Sequence, residues 1–300
     1  MRRLLVFAFV GLIAQLVDGS LGMAYGVTST TLLLTAGIAP AVASASVHLA
    51  EVGTTLTSGI SHWRLGNVDW AMFLRLTLPG GVGAFLGAVV LSSLSAELAR
   101  PWIAAFLLAL GIYIIARFAL ARNTQPTSSK PISGRFLAPL GLGAGFLDAA
   151  GGGWGPIATP TLLASNRVEP RRVIGTVDTS EFLVAVCASL GFLISMDTST
   201  IAFPVVGALL VGGVIAAPLA AWLVRYLHPR VLGTAVGGII LLTNGRTILH
   251  ALGVGTSGVV AASAIVAVAW LTLLSLVIIG LFRDGETRVL TARRAEDQSR

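Results

Sequence analysis

Cysteine and lysine are almost missing from this chain: Cys187 is the single cysteine and Lys130 the single lysine among 300 residues. One cysteine excludes an intramolecular disulfide and any site built from several thiolates, and its ordinary role is that of a small buried apolar residue. Charge of both signs is scarce too. Only 11% of the residues are charged against 55% hydrophobic, and the mean hydropathy is +0.88, which excludes an ordinary soluble globular domain. There is no GxxxxGK phosphate loop, so energy has to come from gradients or from a partner. His62, His228 and His250 stand near segment ends without metal-ligand spacing. Neither a nucleophile and base dyad nor a metal cluster stands out, so an enzyme is not expected, nor is a metal or a cofactor.

What is present is apolar sequence in bilayer-sized lengths. Runs of the roughly 20 residues that cross hydrocarbon occur near 38–61, 70–94, 101–121, 171–196, 200–226, 231–250 and 256–282, while 4–36 and 136–166 are long but interrupted. The net charge of +7 comes from arginines at segment ends and in the tail. That pattern orients membrane segments and does not suggest nucleic-acid binding. The start "MRRLLVFAFVGLIAQLV" could be taken for a signal peptide. Because residues 11–22 are needed for the repeat described next, it is read as retained.

Displacing the sequence by 130 residues lays 11–51 on 141–181 without a gap, with 11 of 41 positions identical. The matches include Asp18 with Asp148, Gly22 with Gly152, Thr31 with Thr161, Pro40 with Pro170 and Glu51 with Glu181. A shift of about two more residues places "PGGVGAFLGA" (79–88) on "VGGVIAAPLA" (211–220). The chain therefore reads as two related halves. The expected organisation is an N-terminal transmembrane repeat (1–120), a polar Pro/Ser-rich cytoplasmic linker (121–135), a C-terminal transmembrane repeat (136–250), an extra transmembrane helix (251–282) and a basic cytoplasmic tail (283–300).

Arginine placement constrains the interrupted regions. Arg122, Lys130 and Arg135 precede 136–166, and Arg167, Arg171 and Arg172 follow it, so both ends are expected on the cytoplasmic side. The region would then dip into the membrane and return as two half-helices. By homology 4–36 would do the same, and the three crossings that follow would orient the halves oppositely. The expected fold is an all-α polytopic membrane protein with two homologous, inverted halves, about seven full crossings and two re-entrant broken-helix hairpins. Arg2 and Arg3 would then lie outside, against the charge rule. A fully crossing first segment is the alternative.

The stretch "DAAGGGWGPIATPTLL" (148–163) puts an acid, four glycines and two prolines into apolar surroundings. Irregular backbone at membrane depth survives only where it is buried in protein or lines a wet cavity. Unpaired amides at the start of a half-helix form a positive end able to hold an anion. The candidate substrate-binding residues are accordingly Asp18, Gly19, Ser20, Gly22 and Tyr25 around the first tip, and Asp148, Gly151, Gly152, Gly153, Trp154 and Gly155 around the second. In the plainer reading the glycines permit close helix packing, the aspartates cap half-helices and the aromatic residues are filler. "PGGVGAFLG" looks like packing. His48 and Asp178 each precede a glutamate, Glu51 and Glu181, by three residues, which puts each pair on one helical face. These four are candidates for coupling or gating, because a buried carboxyl can exchange its proton along with the substrate; a structural hydrogen bond to the broken backbone is the alternative. Arg75 either attracts substrate or snorkels to the interface.

At the second tip and the "PRRVIGTVDTSEF" (170–182) that follows it, the chain resembles the sulfite exporter TauE/SafE family of bacterial membrane permeases. The resemblance implies two homologous halves in a multi-pass protein of the bacterial cytoplasmic membrane. It also implies transport of sulfite, sulfonates or related small sulfur anions. The reading is a secondary transporter, expected to export, working by alternating access around a midplane anion site. Its partners would be a small anionic substrate and the lipid bilayer, with homo-oligomerisation left open and no nucleic acid. The rivals are a permease for another small anion or for a cation or metal ion held by the buried acids, and an intramembrane scaffold. "SLGMAYG" replaces "GGGWGP" in the first tip, which makes that tip the less flexible one.

Overall fold

A computed structural model describes residues 2–21, 23–119, 132–165, 167–223 and 229–298. Gly22, Arg122, Lys130 and His228 lie outside the described residues, as does most of the expected linker. Among the described residues the regular structure is helical, with no strand. The helices are α1 (Arg2–Leu21), α2 (Tyr25–Thr35), α3 (Pro40–Arg64), α4 (Trp70–Ser93), α5 (Ala96–Ala119), α6 (Gly134–Asp148), α7 (Trp154–Ala164), α8 (Pro170–Ser195), α9 (Phe203–Leu223), α10 (Pro229–Ala251) and α11 (Thr256–Gln298). Each of the seven uninterrupted runs is one helix. Each of the two interrupted runs is a pair, α1 with α2 and α6 with α7, where α2 and α7 have only 11 residues.

Among the described residues four helices are both long and apolar enough to cross a bilayer on composition alone: α4, α5, residues 172–195 of α8 and residues 256–281 of α11. The 25-residue α3 is not among them. Its buried face carries Ser44, His48, Glu51 and Thr55, spaced four, three and four residues apart, so its polar stripe turns into the protein. Helix α5 starts earlier than the apolar run because Glu97 and Arg100 make its opening turns polar.

Packing partners occur in pairs. Helix α1 packs on α9 as α6 packs on α4; α3 packs on α9 as α8 packs on α4; α2 packs on α3 as α7 packs on α8. The contacts of α3 with α8 and of α5 with α10 map onto themselves when the first five helices are exchanged for the next five. Close approach is set by glycine: a Cβ on Gly83, Gly141 or Gly145 would run into a backbone carbonyl across the α4–α6 interface, and one on Gly11 or Gly212 would do so between α1 and α9. The run "PGGVGAFLG" is thus a packing surface. Cys187 has a packing role as well, its sulfur lying against Gly81 of α4.

Helix α11 lies on α10, fastened where Trp270 Nε1 donates to the Thr234 carbonyl at 2.9 Å. It exposes Val260, Ile265, Val268, Leu271, Leu276 and Ile279, the surface expected to meet lipid. Its 43 residues span about 65 Å at 1.5 Å each, against about 30 Å of hydrocarbon. The region read as a separate tail from residue 283 is therefore continuous with this helix as far as Gln298.

Candidate functional site

Each short helix begins with an amide that its own N-cap residue does not satisfy: Ala24 and Gly153 make no side-chain cap. The acceptor comes from the preceding helix. Asp148 Oδ1 accepts the Trp154 amide at 2.8 Å, and Asp18 Oδ1 accepts the Tyr25 amide at 3.3 Å. A carboxylate at the positive start of a helix gains from both the hydrogen bond and the dipole. Asp18 and Asp148 thus tie the two arms of each break together. The second break turns through Gly151 and Gly152, with φ of +136° and +97°, and their amides return to the Asp148 carbonyl at 2.9 and 2.7 Å. These are angles that side chains resist. The first break turns at Ala24 with φ +98°, where glycine would be the easy choice.

The two breaks meet. A Cβ on Gly152 would collide with the backbone of Gly26 and Val27, and one on Gly26 would collide with Gly152. Gly153, Trp154 and Gly155 are buried. Trp154 donates from Nε1 to the Val177 carbonyl at 3.1 Å, and its ring lies where a Cβ on Gly80 would be. Tyr25 reaches the Leu209 carbonyl at 3.4 Å. Both aromatic residues fill packing in this arrangement. Gly19 and Ser20 fall in the last turn of α1.

The polar pairs on α3 and α8 converge beneath the breaks, and all six acidic and imidazole groups there are at least 96% buried. His48 is held by its Nδ1 against the Ser44 carbonyl at 2.8 Å, and its Nε2 lies 3.1 Å from Asp148 Oδ2. Both ring nitrogens face acceptors. Glu51 Oε2 is 3.9 Å from the same Nε2, and neither of its oxygens makes a hydrogen bond. Asp18, Asp178 and Glu181 each bring an oxygen within 4.8 Å of the others. Carboxylates this close in low dielectric need shared protons or a cation between them. The hydroxyls of Thr28 and Thr30 on α2 and of Ser46 on α3 are buried without a hydrogen-bond partner.

Asp18 and Asp148, expected at the two tips, and His48, Glu51, Asp178 and Glu181, paired by their three-residue spacing, are thus brought together. Arg75 is not; it is exposed on α4. Sequence reasoning missed Ser44, whose hydroxyl donates to the Ala149 carbonyl at 2.6 Å and fastens α3 to the second break. Its placement four residues before His48 was the available signal. It also missed Asn244, which joins α10 to α2 through Thr31 Oγ1 at 3.0 Å. His62, set aside for its position near a segment end, lies with Nε2 3.8 Å from Asp178 Oδ2.

The profile described as "Sulfite exporter TauE/SafE" matches residues 7–247. A Bacillus subtilis (strain 168) protein named "Probable membrane transporter protein YtnM" is 54% identical over 254 residues, covering 83% of this chain and 84% of that one. A second protein of the same organism, "Probable membrane transporter protein YdhB", is 27% identical over 195 residues, covering 64% of this chain and 78% of its own length. No solved structure matches.

Proposed function

This chain belongs to the sulfite exporter TauE/SafE family, a multi-pass membrane transporter by its kinship, and from that premise we propose that it exports small sulfur-containing anions such as sulfite or sulfonates. The observation that carries the proposal is the meeting of two helix breaks over buried polar groups without protein partners. Such groups are costly to bury unless a polar solute answers them in some state of the cycle. The hydroxyls of Thr28, Thr30 and Ser46 are the donors proposed for oxyanion oxygens, and the glycines of the second break let backbone approach the solute.

Asp18 and Asp148 order the breaks, and Glu51 and Glu181 exchange protons with the solute's passage. Protonation also removes the contradiction of acids beside an anion site, because a neutral carboxyl donates a hydrogen bond where a carboxylate repels. Alternating access is proposed to part the Gly26–Gly152 contact first on one side and then on the other. In this scheme the halves are inverted in a bacterial cytoplasmic membrane, with both broken pairs entering and leaving on one face each. An inside-negative potential already favours anion export by about 2.3 kcal/mol per charge per 100 mV, so proton coupling is optional for export.

The test is uptake of labelled sulfite, sulfonates, thiosulfate and sulfate into inverted vesicles, with and without a potential, comparing the wild type with Glu181→Gln. Sulfite or sulfonate uptake that rises with the potential and falls in the variant is the expected result. Movement of a divalent cation with no sulfur anion would replace this reading with that of a cation permease.

A further inference from the structure

We infer that the central acids exchange protons with one side of the membrane only, through His62, and that Phe192 closes the equivalent position on the other side. This rests on the transporter reading and adds to it a gate for protons.

Helices α3 and α8 run antiparallel through the centre: Gly59 lies at Thr179, and His62 lies at Gly175. The displacement of 130 residues that relates the halves carries His48 to Asp178 and His62 to Phe192. Two contacts therefore stand in for one another. On one side Asp178 Oδ2 faces His62 Nε2 at 3.8 Å; on the other, His48 faces the ring of Phe192 with centroids 5.9 Å apart. Phe192 is fully buried, whereas the His62 side chain is 23% exposed. Its end of the bundle carries the exposed Arg64, Arg167 and Arg172, the charge pattern of a cytoplasmic face.

The groups around His62 suit proton transfer. Asn67 Nδ2, from the α3–α4 connection, lies 3.3 Å from His62 Nδ1. With that amide donating, the neutral ring carries its proton on Nε2, the nitrogen that faces Asp178. From α8, Asp178 is the charged group facing the ring; at the start of α4, Asp69 is turned to its own helix, accepting the Met72 amide at 3.0 Å. Arg64 lies two residues further along α3 at the exposed end. Asp178 Oδ2 makes no hydrogen bond, so it is free to take a proton. From there the groups continue to Asp18 and Glu181 within 4.8 Å; Glu51, with His48 at 3.9 Å and Asp148 a further 3.1 Å from His48, forms a second buried cluster. The ring first takes a proton on Nδ1 from the aqueous side, Asn67 turning its unpartnered Oδ1 to accept it, and the imidazolium then gives its Nε2 proton to the Asp178 carboxylate and returns to the neutral form. The longer gaps are those that one water or one rotamer change spans. Imidazole is the side chain best suited to this exchange near neutral pH; phenylalanine cannot take part.

The test uses the full chain in liposomes with a trapped pH indicator and a potassium-valinomycin potential. Phe192→His gives the blocked side the missing group, so a proton leak appears without any substrate; adding His62→Phe abolishes it. Absence of the leak overturns the inference, as does a leak that persists in the double variant. In wild-type background His62→Phe, or His62→Gln should the first variant fail to fold, keeps sulfite counterflow while sulfite accumulation driven by a pH gradient falls by about a hundredfold, the contribution of a positioned proton-transfer group. Undiminished gradient-driven accumulation also overturns it. A leak that depends on His62 in a protein moving no sulfur anion leaves the proton gate standing and removes the anion reading.

Discussion

The two helix breaks make the same turn with different residues, and the second is the better secured. Asp148 is engaged at both oxygens, by the Trp154 amide at 2.8 Å and by His48 at 3.1 Å, and its backbone turns on glycines. Asp18 holds the Tyr25 amide at 3.3 Å, shares its surroundings with Asp178 and Glu181, and the turn passes through an alanine at φ +98°. The first break is held by a weaker bond, stores backbone strain and crowds like charges. The comparison teaches that the fold's symmetry does not extend to its energetics. In the proposed transport cycle the second break is assigned the fixed wall of the site and the first the part that moves.

The largest effect expected from breaking this comparison is at the point where the breaks touch. Gly152→Ala forces a side chain to φ +97° and drives its Cβ into Gly26 and Val27. Strain of about 1–2 kcal/mol adds to overpacking of about 1–3 kcal/mol. Gly26→Ala, within a helix, meets only the overpacking. Thermal unfolding in detergent should show Gly152→Ala as clearly the worse; equal losses would mean that the two breaks are equally rigid.

Next in size are the aspartates. Asp148→Asn keeps an acceptor for the Trp154 amide but removes the partner of a buried imidazole, a change that costs about 3 kcal/mol or more. Asp18→Asn keeps the weaker amide contact and relieves the crowding with Asp178 and Glu181, so its effect on the melting temperature is close to zero or positive. A loss for Asp18→Asn as large as that for Asp148→Asn would contradict the division into fixed and movable breaks. Third, Trp154→Phe gives up the Nε1 bond to the Val177 carbonyl, a carbonyl that still accepts Ser180 Oγ at 2.6 Å. Its cost is about 1 kcal/mol from the hydrogen bond plus the smaller ring. Tyr25→Phe, whose bond is 3.4 Å long, costs less.

Much of the site was legible in the residues themselves. An acid, glycines and prolines inside apolar sequence pointed to broken helix, and three-residue spacing put His48 with Glu51 and Asp178 with Glu181 on shared faces. Which groups those acids would answer was not legible, because it depends on how two helices pass one another. The amide ends expected to greet an anion are met, in this arrangement, by the chain's own Asp18 and Asp148. Helix α3 hid its polarity in the sequence as an ordinary crossing. Only its packing against α8 turns Ser44, His48, Glu51 and Thr55 into the lining of the centre. His62 could not be told from a surface histidine without knowing that residue 178 returns beside it.

The smallest expected effect has the opposite sign. Ala24 is the one non-glycine residue at positive φ among those described, it is buried, and it directly precedes α2. Glycine there removes strain of about 1–2 kcal/mol but adds about 0.4–1 kcal/mol of unfolded-state freedom. Ala24→Gly should therefore raise stability by about 1 kcal/mol or less. The same change lowers the difference between the two breaks, since both would then turn on glycine. If the strain at Ala24 is what sets the first break in motion, the variant melts slightly higher and transports more slowly. If it melts higher while transport is unchanged, the strain is only tolerated, and the mobility of the first break comes from its crowded aspartate instead.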